Sequence, residues 1–87
     1  MITEMINGSV DMVELAWMEV GVEHNGEIYT LCFETEERPS SGTFNSVDFA
    51  DDESEEIANE IGFEITEEFI VELYHNWSDY SNQHFRR

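Results

Sequence analysis

The dipeptide Asn25-Gly26 is the feature that most restricts how this chain folds. Asn-Gly is the strongest short signal for a two-residue type I′ turn, and such a turn fixes the register of the strands on either side. Three apolar pairs then face each other: Val22 with Tyr29, Val20 with Leu31, and Met18 with Phe33. Because side chains alternate along a strand, all six lie on one face. The sequence therefore predicts an antiparallel hairpin with an apolar face.

The other face of this hairpin is mixed. It carries Glu23, Gly21, Glu19 and Trp17 on the first strand, opposite Ile28, Thr30, Cys32 and Glu34 on the second. One apolar and one mixed face are typical of an antiparallel sheet that is covered on one side only. We therefore expect the rest of the chain to cover the apolar face.

A second Asn-Gly pair, Asn7-Gly8, leaves the N-terminal segment ambiguous. A turn there would place Glu4 opposite Asp11, and like charges directly opposed destabilise a strand pair. The stretch "SVDMVELAW" also fits a helix capped by Ser9, with one side made of Met12, Val13, Ala16 and Trp17. Both strand and helix remain open for residues 1–12.

Capping residues divide the second half of the chain. Residues 37–46 are rich in Ser and contain Pro39 and Gly42, which predicts a loop, and a short extended piece follows at 47–49. Asp52 predicts the N-cap of a first helix that Gly62 ends. Thr66 predicts the cap of a second helix that runs to about Ser81. Its covering face would hold Ile70, Leu73, Tyr74, Trp77 and Tyr80.

These elements predict an α+β fold: an antiparallel β-hairpin or meander followed by two amphipathic helices packed on one face. A chain of 87 residues is expected to form a single compact domain, 1–87. We divide it into a sheet-forming part (1–36), a loop (37–46), a helical acidic part (47–82) and a tail (83–87).

The charge is unusual for a folded chain. Twenty-one Asp and Glu residues stand against three Arg and no Lys, which gives a formal net charge of −18. Solubility of a small domain needs only about 2–8 net charges. Such a chain is repelled by nucleic acid and by anionic membranes. Its natural partner is therefore a strongly basic surface.

Glutamates recur every fourth residue through "SEEIANEIGFEITEEFIVEL", residues 54–73. Four residues of helix rise about 6 Å, which is close to the roughly 6–7 Å between successive phosphates that follows from the axial rise of a DNA strand. Gly62 and Thr66 place Glu64 in a bend, so the ladder forms an angled ridge. We predict a partner-binding surface made of Asp48, Asp51, Asp52, Glu55, Glu56, Glu60, Glu64, Glu67, Glu68 and Glu72. Asn59, Asn76 and Tyr80 would flank it and supply specificity.

Residues that carry catalysis or bind metals give little signal. His24, His75 and His84 are scattered, and the set of His75, Asp79 and Glu72 lacks the spacing of an established metal motif. The acidic stretch "DFADDESEE" lacks the glycine and the final glutamate of a calcium loop. We expect no enzymatic activity, no catalytic residues, no metal and no cofactor.

Cys32 is the single cysteine of the chain. It cannot form an internal disulfide, which favours a reducing compartment. Glu19 opposite it in the hairpin would raise the thiol pKa and make it a poor nucleophile. No stretch is apolar enough to span a bilayer, and no basic-then-apolar leader opens the chain. We expect a cytoplasmic protein.

The chain resembles the small acidic proteins that bacteriophages and mobile elements use as DNA mimics, the anti-CRISPR and anti-restriction proteins. The resemblance is one of physical type: small size, no Lys, the acidic run from Asp48 to Glu72, and a hairpin followed by helices as in some type II anti-CRISPRs. It implies a phage-encoded inhibitor in the cytoplasm of the bacterial host. Such a protein occupies the basic DNA- or PAM-reading groove of a CRISPR effector, and contacts neither nucleic acid nor membrane.

Other interpretations fit the same acidic surface. An anti-restriction protein would carry it, and so would an immunity or antitoxin protein that neutralises a basic nuclease. An acidic face that only keeps the protein soluble has no basic partner at all. Halophilic adaptation also explains an acidic composition that lacks Lys, although six Phe and four Met are unusual for a halophilic protein. Composition alone does not separate these classes.

Overall fold

The computed structural model describes residues 1–11, 15–36 and 43–85. In this part, four strands form one antiparallel sheet in the order β1-β2-β3-β4, and two helices follow. The elements are β1 (Ile2–Val10), β2 (Leu15–His24), β3 (Glu27–Glu36), β4 (Asp48–Phe49), α1 (Asp52–Ile61) and α2 (Glu67–His84). The predicted α+β fold, a β-meander followed by helices, is confirmed. Neither described helix is long and apolar enough to cross a membrane.

The central hairpin has the predicted turn and register. Asn25 and Gly26 have φ angles of +52° and +85°, as a type I′ turn requires. The three apolar pairs form as expected: Val22 with Tyr29, Val20 with Leu31, and Met18 with Phe33. All of these side chains except Tyr29 are fully buried, so this face of the sheet is the core face.

β1 is a strand, so the helix that the sequence left open does not form in its described part, and Met12 and Val13 of that alternative lie outside the described residues. Two bulges interrupt its pairing with β2, one between Ile2 and Glu4 and one between Met5 and Asn7. Each bulge inserts one unpaired residue. Core-facing positions therefore recur at every third residue, Ile2, Met5 and Gly8. This spacing departs from the alternation of apolar and polar residues by which a strand is recognised in a sequence.

No turn forms at Asn7-Gly8, because both residues lie inside β1. Gly8 instead allows α2 to approach the sheet closely. A Cβ at Gly8 would lie 2.5 Å from Cζ3 of Trp77 and 3.0 Å from Cε1 of Tyr80. The glycine therefore serves packing across the core rather than chain reversal.

The face of α2 that covers the sheet contains all five predicted residues and, in addition, Phe69. Its buried residues follow a spacing of four: Phe69, Leu73, Trp77 and Ser81. The predicted Ile70, Tyr74 and Tyr80 are half-buried and pack against the core. Phe69, which the prediction omitted, lies 5.2 Å from Phe33 between ring centroids. The helix continues to His84, three residues beyond the predicted end at about Ser81 and into the segment assigned to the tail.

The connection between the sheet and α1 runs along the outer edge of β3. Phe49 faces Phe33 in the two-residue strand β4, which confirms the predicted extended piece. Beyond it, the backbone of Cys32 accepts a bond from Ala50 N at 2.9 Å and donates to Ser54 Oγ at 2.8 Å. Beyond the end of β4, the residues at the start of α1 thus pair with the backbone N–H and C=O of β3. Residues 37–42 of the predicted loop lie outside the described residues.

Candidate functional site

The predicted acidic surface follows α1, the bend and α2. Gly62 ends α1 with a φ of +77°, the left-handed geometry that favours glycine. The Thr66 Oγ1 accepts a bond from Phe69 N at 3.1 Å and caps α2. Both caps agree with the prediction, and Glu64 lies between them in the bend. The acidic ladder therefore changes direction at Glu64.

The acidic side chains of this region point outward. Nine of the ten predicted partner-binding carboxylates are exposed, and only Glu72 is half-buried. Those on the helices and the bend form a surface that we call the helix ridge: Asp52, Glu55, Glu56, Glu60, Glu64, Glu67 and Glu68. The three arginines of the chain, Arg38, Arg86 and Arg87, lie outside the described residues. Within the described part, the ridge is therefore flanked by no Lys or Arg.

Glu72 has a structural partner. Its carboxylate accepts a hydrogen bond of 2.7 Å from the backbone N–H of Ile2. β1 is an edge strand of the sheet, and an unpaired N–H at such an edge needs an acceptor. Glu72 thus ties α2 to the start of β1, and it is less available to a partner than the rest of the ladder.

Asp51, and not Asp52, is the N-cap of α1, which corrects the prediction by one residue. Its Oδ1 accepts a bond of 2.8 Å from Ser54 N. Hydrogen bonds from the Ser54 hydroxyl and then the Ser54 backbone N–H lower the pKa of the Asp51 carboxyl. Both bonds favour the ionised form. The Asp51 carboxylate is therefore held at the N-terminus of α1, beside the edge of the sheet.

The bend of the ridge is fixed by aromatic contacts and contains a cavity. The ring of Phe63 lies 5.8 Å from that of His24 and 5.0 Å from that of Phe69, and His24 Nε2 lies 3.1 Å from Ile61 O. These contacts hold the bend against the hairpin end of the sheet. Beside it, a cavity of about 360 Å³ is lined in part by Glu64, Glu68 and Glu72. Two carboxylates of the ridge, Glu64 and Glu68, therefore border this cavity.

Asp48 belongs to a different surface from the ridge. It faces Glu34 in the short β4 pairing, on the face of the sheet opposite the core. Register places Glu19 and Glu4 on this same face. Sequence reasoning found the β2 and β3 residues of this open face but missed Glu4, because only the bulged register of β1 brings it there. The predicted site is thus divided between two faces.

Cys32 lies on the open face and is half-buried. Burial, then the carboxylates of Asp51 and Glu19, raise its thiol pKa. The predicted effect of Glu19 is confirmed, although burial and Asp51 contribute more. The thiol is therefore held protonated, which disfavours nucleophilic attack.

The residues predicted to flank the ladder have different surroundings. Asn59 is exposed on α1. Asn76 donates from Nδ2 to Glu72 O at 2.9 Å, and Tyr80 stacks on His84 with ring centroids 4.1 Å apart. Of the three, Asn59 is the most available to a partner. In the described residues, no group of three or more His, Cys, Asp or Glu side chains is arranged to hold a metal ion.

A comparison with protein-family models found no match, and neither did comparisons with curated proteins and with solved structures. The chemistry of the surface therefore carries the functional argument.

Proposed function

We propose that this protein is a DNA mimic that inhibits a basic nucleic-acid-binding enzyme, and that its target is a CRISPR effector whose DNA- or PAM-reading groove it occupies. The observation that carries the proposal is the helix ridge. Its carboxylates are exposed, follow two helices and a fixed bend, and are interleaved with no Lys or Arg. The inhibitor acts by occupancy and performs no chemistry.

The spacing of the ridge supports this mechanism. Glu56 and Glu60 are four residues apart in α1, which corresponds to about 6 Å along the axis. A groove that binds DNA presents Arg and Lys to phosphates and to base edges. Carboxylates with phosphate-like spacing pair with those cations and exclude DNA. Charge speeds the encounter, and the affinity falls as salt is raised.

Affinity capture tests the proposal. The protein is immobilised and exposed to bacterial lysate at low and at high salt, and the bound material is then challenged with duplex DNA that carries a recognition site or PAM. We expect a nucleic-acid-binding enzyme that DNA displaces. Capture of no such enzyme, or of one that DNA does not displace, contradicts the proposal. Exclusive capture of one toxin nuclease favours the immunity-protein alternative.

Matched charge variants locate the contact. Glu64→Gln with Glu68→Gln removes two charges from the centre of the ridge, where both side chains are exposed. Glu27→Gln with Asp79→Asn removes two charges from exposed positions outside it. We expect the ridge pair to weaken binding to the captured enzyme well beyond the control pair. Equal losses indicate that only net charge matters and that the ridge is not the contact.

A further inference from the structure

The open face of the sheet carries a carboxylate on every strand. Asp48 on β4 lies opposite Glu34 on β3. Glu34 lies opposite Trp17, two residues before Glu19 on β2. Glu19 lies opposite Asn7, and Glu4 on β1 lies opposite Gly21. We call this diagonal set, Glu4, Glu19, Glu34 and Asp48, the sheet row.

The register sets the spacing of the sheet row. Diagonal neighbours on adjacent strands lie about 7–8 Å apart, and directly opposed residues about 5 Å apart. The first separation describes the steps from Glu4 to Glu19 and from Glu19 to Glu34. The second describes Glu34 and Asp48, two like charges whose direct opposition destabilises the sheet. The row therefore works against folding stability, and its spacing is close to that of phosphates along a DNA strand.

Trp17 lies at the corner between two members of the row. It is directly opposite Glu34 and two residues from Glu19 on the same strand, so the Cβ atoms of both glutamates lie within about 5–7 Å of its own. Its side chain is half-buried, whereas the other tryptophan, Trp77, is buried. An indole face attracts a cation, and a guanidinium does so best because it also stacks.

We propose that the open face of the sheet is a second contact surface for the basic partner, with an arginine side chain stacked on Trp17 and paired with Glu19 and Glu34. The proposal rests on the proposed function, since it assigns a further contact to the same class of partner. Charge complementarity identifies the kind of partner that fits this face. The described part of this face carries carboxylates and an aromatic ring and no Lys or Arg, which fits an arginine-bearing protein surface. Arginine is preferred over lysine because its planar fork both stacks and binds carboxylates in a bidentate manner.

An arginine octapeptide provides a probe that does not depend on knowing the partner. Only Trp17 is open to the peptide, so its indole N–H resonance and its fluorescence report on the corner. We expect the peptide to shift the Trp17 resonance and to leave that of Trp77 in place. Trp17→Val should weaken peptide binding about two- to fivefold, the usual size of an exposed cation–π contact. A lysine octapeptide should bind more weakly.

Matched variants separate this surface from the helix ridge. Glu19→Gln with Glu34→Gln should abolish the Trp17 shift, while Glu64→Gln with Glu68→Gln and the control pair Glu27→Gln with Asp79→Asn should preserve it. An unshifted Trp17 resonance on peptide binding, an equal response to lysine peptide, or no loss in the Glu19 and Glu34 pair overturns the proposal. The capture and DNA-displacement experiment is scored independently. The peptide experiment therefore supports or contradicts the arginine contact at Trp17 without deciding the proposed function.

Discussion

The indole of Trp77 lies directly over Gly8, with no room between them for a single methyl group: a Cβ on Gly8 would lie 2.5 Å from the Trp77 ring. This contact joins the edge strand of the sheet to the last helix. The hydrogen bond from the Ile2 backbone N–H to the Glu72 carboxylate joins the same two elements at the start of β1. Together these two contacts hold α2 against β1.

Replacement of Gly8 by Ala should destabilise the protein. The added methyl group forces the Trp77 ring to move in a closely packed core, and such overpacking typically costs about 1–3 kcal/mol. Urea unfolding monitored by circular dichroism measures the change. Ser9→Ala, at an exposed neighbour in the same strand, is the control and should have little effect. An unchanged midpoint for Gly8→Ala would mean that the ring relaxes freely.

Replacement of Glu72 by Ala should also destabilise the protein, although it removes a negative charge from a highly acidic chain. The Ile2 N–H loses its acceptor in a part-buried position, and an unsatisfied N–H costs about 1–3 kcal/mol. Relief of repulsion from Glu68, one turn away, returns only about 0.2–0.5 kcal/mol. Glu68→Ala is the comparison, and the unfolding midpoint should fall for Glu72→Ala alone. Faster hydrogen exchange at the Ile2 amide would locate the effect.

Replacement of Glu60 by Gln should stabilise the fold and weaken partner binding. Glu60 lies in the last turn of α1, which carries no basic residue, so its charge opposes the negative end of the helix dipole. The gain should be about 0.3–1 kcal/mol, seen as a higher melting temperature. Glu67→Gln, in the first turn of α2 where acid is favourable, should shift the melting temperature the opposite way. The same sign for both variants would exclude the dipole as the cause.

The contribution of Asp51 to the free energy of unfolding should vary with pH in the acid range. Its pKa is lowered below the ordinary value of 3.8 by the bonds from Ser54. Such a group stabilises the fold above the unfolded pKa, and this contribution disappears as the pH falls through the folded pKa. Asp51→Asn should remove this part of the pH profile, below about pH 4, while Asp52→Asn keeps it. Asp51→Ala should cost about 0.5–2 kcal/mol at neutral pH, the usual value of an N-cap.

The hairpin and the helix caps could be predicted from the sequence because local rules determine them. Asn25-Gly26 sets the turn and register together, and Gly62 and Thr66 satisfy backbone groups within one helical turn. β1 could not be assigned in the same way, because its two bulges replace the strand period with a spacing of three. Phe69 was missed, and its contact with Phe33 joins residues that are remote in sequence.

The acidic ridge could be predicted because it follows consecutive helical turns, with only the bend to place. The structural role of Glu72 could not be predicted, since the group that it binds, the Ile2 N–H, is seventy residues away. The sheet row could not be assembled from the sequence at all. Glu4 reaches it through a bulged register, and Asp48 through a strand of two residues.

The closure of β1 by α2 has a consequence for synthesis on the ribosome. The hairpin of β2 and β3 forms from adjacent segments and is complete early. The Ile2 N–H at the outer edge of β1, however, waits for Glu72, and the core face of the strand waits for Trp77, so β1 is covered only after residue 77 has emerged. Contacts of such long sequence separation form late. The nascent chain therefore exposes this strand until residue 77 has been synthesised, and its acidity repels neighbouring nascent copies during that interval.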